Sequence, residues 1–154
     1  MELPYIYQGN GASIYQTYGP PAYKTEMAVG FDLRACMDRD VTVATTHIHW
    51  PTRIPLGIAV AVPQGYELQL RARSGLAANY GLSLANGVGT IDPDYRGEIE
   101  AALVVHSHKG VQVRPGDRIV QAVIAPVEQM TPTPHNELPE TERGAGGFES
   151  TGRQ

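Results

Sequence analysis

The chain has 154 residues, enough for one domain with an apolar core, and 42% of them are hydrophobic, as in ordinary globular proteins. Its 17 glycines and 12 prolines favour an all-β domain rich in turns over a helix bundle. A net charge of −4 without a basic stripe argues against nucleic-acid and membrane-surface partners, but a few arginines can still dominate one pocket for an anionic ligand.

Residues 1–26 mix tyrosine, proline and glycine without a period and read as an extended arm or an early edge strand. "MELPYIYQGNG" lacks the basic and apolar regions of a signal peptide, and no apolar run approaches spanning length. The expectation is a cytoplasmic protein, or one working in a host cytoplasm. "AVGFDLRA" (28–35) is a short apolar stretch broken by Gly30 and Asp32. Cys36 is the only cysteine, which rules out an internal disulfide and leaves a small apolar residue, half buried. "IPLGIAVAVP" (54–63) reads as one buried strand. "YELQLRARS" (66–74) alternates, with Tyr66, Leu68, Leu70 and Ala72 on one face and Glu67, Gln69, Arg71 and Arg73 on the other.

"GLAANYG" (75–81) is the one short helix predicted, with Ser74 as its N-cap. "EIEAALVVHS" (98–107) and "DRIVQAVIAPV" (117–127) read as strands, separated by turn signals at Lys109-Gly110 and Pro115-Gly116. From residue 129 the apolar pattern ends. The predicted organisation is a β domain over 1–128, a proline-rich linker over 129–142 and a glycine-rich tail over 143–154. Short strands and turns in this density point to a sandwich or jelly roll.

Three stretches carry chemistry. "NGVGTIDPDYRGE" (86–98) predicts a tight hairpin between Leu84 and Ile99, and its Asp92 and Asp94 flank Pro93; by themselves they read as turn residues. "RSGLA" (73–77) places an arginine and a serine hydroxyl where a strand meets a helix, suited to phosphate. By itself it reads as a capping serine beside a solvated arginine. "RGAGGFESTG" (143–152) combines glycines, hydroxyls and an arginine but is no P-loop, since it lacks the Gly-Lys-Ser/Thr end and the flanking strand and helix. Glycine-rich ends are disordered by default, and Phe148 is the residue that reading does not accommodate. It makes sense on a tail that closes over a flat ring. The pairs His47/His49 and His106/His108 lack a convincing completing ligand and read as surface histidines.

Taken in order, "AVGFDLRA", "RSGLA", "NGVGTIDPDYRGE", "PGDRIVQAVI" (115–124) and "RGAGGFESTG" resemble the five motifs of the trimeric deoxyuridine triphosphatases, the dUTP diphosphatases. The resemblance runs from about Ala28 to Gly152 with the right spacing, and no motif covers residues 1–27. It departs at Glu149, where the family's last motif has glycine.

The resemblance implies an all-β jelly-roll homotrimer whose sites lie between subunits, each tail serving as a lid for a neighbouring site. The substrate is dUTP and the cofactor Mg²⁺, carried on the triphosphate. Asp92 matches the general base that activates water for attack on the α-phosphorus. Tyr95 matches the residue that packs on deoxyribose and leaves no room for a 2′-hydroxyl. The hairpin main chain from Asn86 through Gly89, Thr90 and Ile91, with the strand near Glu100, would read uracil. Arg73, Ser74 and Gly75 match the phosphate motif, and Gln121 a polar residue on the phosphate side. Asp32 matches a carboxylate near the metal, acting through water. Arg143 matches the arginine on the γ-phosphate. Phe148 would stack on uracil, Ser150 and Thr151 would bind the terminal phosphate, and Glu149 is expected to face outward while its backbone N–H serves the ligand. Two competing readings share much of this: a dCTP deaminase, which shares the fold but needs an acid–base group at the pyrimidine C4, and a dUTP-responsive regulatory protein.

Overall fold

The computed structural model describes residues 2–44 and 50–147. Its elements are β1 (Tyr5–Tyr7), α1 (Gly11–Tyr18), β2 (Phe31–Arg34), β3 (Val41–Val43), β4 (Thr52–Pro55), β5 (Ile58–Val60), β6 (Tyr66–Ala72), α2 (Ser74–Tyr80), β7 (Leu82–Leu84), β8 (Val88–Ile91), β9 (Glu100–Val105), β10 (Val111–Val113) and β11 (Arg118–Pro126). A four-stranded sheet runs in the order β2-β11-β6-β8 and a three-stranded sheet in the order β4-β9-β7. Two short antiparallel pairs, β1-β5 and β10-β3, complete a jelly-roll-like β fold. No helix among the described residues is long and apolar enough to cross a membrane.

Period-two patterning explains how the core closes. On β9, Ala101, Leu103 and Val105 are buried, while Glu100 is exposed and Ala102 and Val104 are half-buried. On β6, Leu68 and Leu70 are buried between half-buried Tyr66 and Ala72. The buried ones join Leu33, Val120 and Ala122 of the first sheet and Ile54 and Leu84 of the second in one apolar cluster. Each buried Leu, Ile or Val among them contributes about 1.5–3 kcal/mol by leaving water. On β11 the register shifts between Arg118 and Val120, so Ile119 and Val120 are both buried and the alternation slips.

The structure corrects several expectations. The N-terminal arm is only partly extended: β1 is an edge strand, but a second helix, α1, follows it. That helix has no side-chain cap and no acidic residue in its first turn, so local signals are missing. Packing supplies them instead, through buried Ile14 and Tyr15 and a close approach of Gly11 to Gly57. The segment read as one strand over 54–63 is two, divided at Leu56-Gly57, where Gly57 takes φ +70°. The predicted hairpin between Leu84 and Ile99 is wider than expected: β7, which ends at Leu84, pairs antiparallel with β9, while β8 between them pairs with β6. Ser74 lies inside α2, and Arg73 is the N-cap residue.

Tyr15 is 2% exposed. Its hydroxyl donates to Leu56 O at 3.0 Å and accepts from Arg34 N at 3.2 Å, so it joins α1 to β2 and to the Gly57 turn. Burial pushes its pKa well above the usual tyrosine value. Tyr15→Phe strands a carbonyl and an amide in the interior, at a cost of about 1–3 kcal/mol. Urea denaturation should show that loss as a lower midpoint with an unchanged slope; an unchanged midpoint would mean the two groups find other partners. Cys36 is buried as well, more fully than expected, and burial pushes its thiol up to about 12, which keeps it protonated and unreactive.

Candidate active site

Two groups of predicted residues form in one copy of the chain. The first gathers around residues 88–100. Asn86-Gly87 makes the turn into β8, with Gly87 at φ +71° and Val88 N donating to Asn86 O at 2.8 Å. Gly89 is buried against β6, where an added Cβ would stand 3.1 Å from Leu70 Cβ. β8 is the outer strand of its sheet, so one row of its main-chain groups faces β6 and the opposite row has no strand partner within that sheet.

After β8 the chain turns through Asp92-Pro93-Asp94-Tyr95, closed by Tyr95 N donating to Asp92 O at 3.2 Å. Arg96 pins the turn by donating to Pro93 O at 2.6 Å and Tyr95 O at 2.8 Å. The Tyr95 hydroxyl donates to Glu98 O at 3.0 Å, and its ring lies so close over Gly97 that any Cβ there would overlap it. Thr90, Ile91, Asp92, Tyr95, Glu98, Ile99 and Glu100 line a single cavity of about 210 Å³. Asp92 and Tyr95 are both exposed at it. Glu100 is tied by Arg53, whose Nε donates to its carboxylate at 2.9 Å.

The second group sits where β2, β6 and β11 run side by side. Asp32 faces Gln121 across the β2–β11 pair, and Gln121 faces Arg71 across the β11–β6 pair. Arg73 Nε lies 3.0 Å from Asp32 Oδ1, and Arg118 donates to Asp32 Oδ2 at 2.9 Å. Arg73 also donates to Arg118 O at 2.8 Å. One carboxylate, 15% exposed, therefore holds two guanidinium groups, and the cluster keeps a net positive charge. Ser74 and Gly75 follow, exposed at the start of α2. Gln121 packs on Gly30, where a Cβ would meet its Oε1 at 3.0 Å.

Arg73 and Arg118 also wall a cleft of about 530 Å³ with Tyr80, Gln112 and Asp117. A third cavity of about 340 Å³, lined by Leu3, Tyr23, Phe31 and Ile124, is apolar and contains none of the predicted site residues. The lining of the 210 Å³ cavity does not include the Asp32 cluster, so one copy leaves the two groups as separate constellations.

Both oxygens of Asp32 are engaged by arginine, and among the described residues no group of three or more His, Cys, Asp or Glu side chains could hold a metal. Arg143 is exposed, with its Nε donating to Gly146 O at 2.9 Å within its own turn. Phe148, Glu149, Ser150 and Thr151 lie outside the described residues, as do His47 and His49. Two residues escaped the sequence reading: Arg118, inside "PGDRIVQAVI", and Glu98, inside "NGVGTIDPDYRGE". Both were in quoted motifs, but only the fold puts Arg118 on Asp32 and Glu98 on the cavity wall.

The fold has solved counterparts. The structure superposes on a variant of the dUTPase of phage 80alpha with TM-score 0.79 at 20% identity, covering 97% of this chain and 98% of that one. It matches another variant of the Staphylococcus bacteriophage 80alpha dUTPase, bound to dUpNHpp, with TM-score 0.76 at 20% identity, covering 98% of each chain. Sequence identifies the family itself: the dUTPase family model matches residues 18–152, and the chain belongs to the dUTPase family. The deoxyuridine 5′-triphosphate nucleotidohydrolase of Desulfotalea psychrophila is 50% identical over 137 residues, 89% of each chain. That of Maricaulis maris is 48% identical over 138 residues, 90% of each chain.

Proposed function

We propose that this chain hydrolyses dUTP to dUMP and pyrophosphate, keeping uracil out of DNA and supplying dUMP for thymidylate synthesis. The observation that carries the reading is the single 210 Å³ cavity that joins Asp92, Tyr95, Thr90, Ile91 and Glu100 in a chain of this family. Asp92 takes a proton from water as the water oxygen bonds the α-phosphorus; the bond from that phosphorus to the α–β bridging oxygen breaks, and pyrophosphate leaves. The partnerless edge of β8 favours main-chain recognition of uracil's acceptor–donor–acceptor edge, with Asn86, Gly89, Thr90 and Ile91 along it. A site built to pair with those groups rejects cytosine, because mismatched polar atoms would be buried unpaired. Tyr95, held over Gly97, presents its ring to deoxyribose and crowds out a 2′-hydroxyl.

Arg73, Ser74, Gly75 and Gln121 form the phosphate side, joined by Arg118. Mg²⁺ fits as a passenger on the triphosphate, since Asp32 is committed to two arginines and can reach the metal only through water. When bound it neutralises charge on the phosphate oxygens. Asp32 itself orients Arg73 and Arg118. The assembly we propose is a homotrimer that brings the two constellations together from different copies. Exposed Ile6 (62%), Val29 (75%) and Met27 (91%) are consistent with surfaces covered by assembly. Residues 129–142 serve as a linker in this reading, and the tail from 143 as a lid bringing Arg143 and Phe148 to a neighbouring site. The enzyme would work in the cytoplasm.

Pyrophosphate release from dUTP, dTTP, UTP and dCTP, each with and without Mg²⁺, tests the reading. Release from dUTP alone, and only with the metal, is expected. Ammonia from dCTP would make the chain a deaminase, and tight dUTP binding without pyrophosphate would make it a regulatory binder.

A further inference from the structure

No motif covers the N-terminal segment, yet that segment reaches the cavity wall through the Gly57 peptide and through Gly9. Gly57 N donates to Glu98 Oε1 at 3.1 Å, while Gly57 O accepts from Gln8 N at 2.9 Å. Gly9 packs over the same carboxylate, where an added Cβ would stand 3.6 Å from Oε1 and 3.7 Å from Oε2. Gly11, the first residue of α1, meets Gly57 so closely that a Cβ on either would overlap the other's backbone. The Gly57 turn is thus fixed by α1 on one side and by Glu98 on the other.

Glu98 also faces the site. Its main-chain oxygen accepts the Tyr95 hydroxyl at 3.0 Å. Next to it, Ile99 O accepts from Leu56 N and Ile99 N donates to Ile58 O, each at 2.9 Å. None of the ion pairs among the described residues includes Glu98. Its carboxylate is spent on a backbone N–H, and what the arrangement uses is an acceptor at the right reach rather than a charge.

We infer that Glu98 is a positioning residue: its carboxylate clamps the 92–98 loop to the Gly57 turn and so fixes where the Tyr95 ring stands against the sugar. The inference rests on the proposed dUTP reading for its sugar, though not for the clamp itself. It gives α1 and the residues before it a task, that of backing the turn to which the loop is clamped. It also makes discrimination between deoxyribose and ribose depend on a residue that need not touch the substrate.

The test compares Glu98→Gln with Glu98→Ala. Glutamine keeps an acceptor oxygen at the same reach, and alanine removes it. Glu98→Gln should keep the wild-type ratio of kcat/KM for dUTP over UTP within about twofold. Glu98→Ala should lower that ratio about tenfold, since sub-ångström displacement of a positioning group is enough for such losses. Should the alanine variant not fold, Glu98→Asp, one methylene short of Gly57, takes its place with the same expectation. Amide exchange at Gly57 reads the clamp without any nucleotide: faster exchange in Ala or Asp, but not in Gln, is expected. An unchanged ratio accompanied only by a lower Tm, equal losses in Gln and Ala, or unchanged exchange at Gly57 would each overturn the inference. A wild-type protein inert toward dUTP overturns the functional reading, whereas the exchange result bears on the clamp alone.

Discussion

Asp92→Asn should lower kcat by roughly 10²–10⁴-fold, the range of a general base, with dUTP binding retained. The side chain is exposed at the cavity and the turn's internal hydrogen bond uses the Asp92 main-chain oxygen, so asparagine leaves the loop intact. Asparagine has the size of aspartate and no basicity. Single-turnover hydrolysis and an independent nucleotide Kd separate the two effects. A purified variant keeping more than about a tenth of wild-type kcat would show that some other group takes the proton.

Removing the chain from Arg143 onward should leave the fold and the proposed trimer intact while kcat/KM for dUTP falls by about 10³-fold, the scale of a lost arginine on a phosphoryl group. Among the described residues no buried core residue lies beyond Val123, and residues 128–144 are exposed throughout, so the described fold has little to lose. Arg143 bonds only within its own turn among the described residues, which leaves its remaining donors for a ligand. Light scattering reports the assembly and pyrophosphate release the activity. A dissociated or unfolded product, or undiminished kcat/KM, would remove the lid from the reading.

What could be read from the residues depended on how local the signal was. β6 and β9 showed in the sequence because burial on one face repeats every second residue, and β11 showed as a long apolar run despite its slipped alternation. α1 did not, because "GASIYQTY" carries no cap, no charge pattern and only two apolar residues that turn inward. Its stability comes from Tyr15 reaching Leu56, 41 positions away. The break at Gly57 and the separate partners of β8 and β9 are likewise long-range facts, set by Gly11 and Cys36 in one case and by β6 and β7 in the other. At the site, the motif residues around Asp92 were legible as a group because they are neighbours in sequence. The Asp32–Arg73–Arg118 cluster draws on three stretches of chain, and the role of Arg118 emerges only when β2 and β11 lie side by side.

That cluster has a consequence for how nucleotide would be received. A free arginine side chain gives up about 2 kcal/mol of rotamer freedom when a ligand fixes it. Arg73 and Arg118 have already given up much of theirs to Asp32, so the loss falls on folding rather than on association. An incoming triphosphate would find the two guanidinium groups already held in place, their side chains still partly exposed and their charge only half neutralised. Freezing the hands before the guest arrives makes the handshake quicker to complete, and it places the entropy of recognition in the strands that carry it.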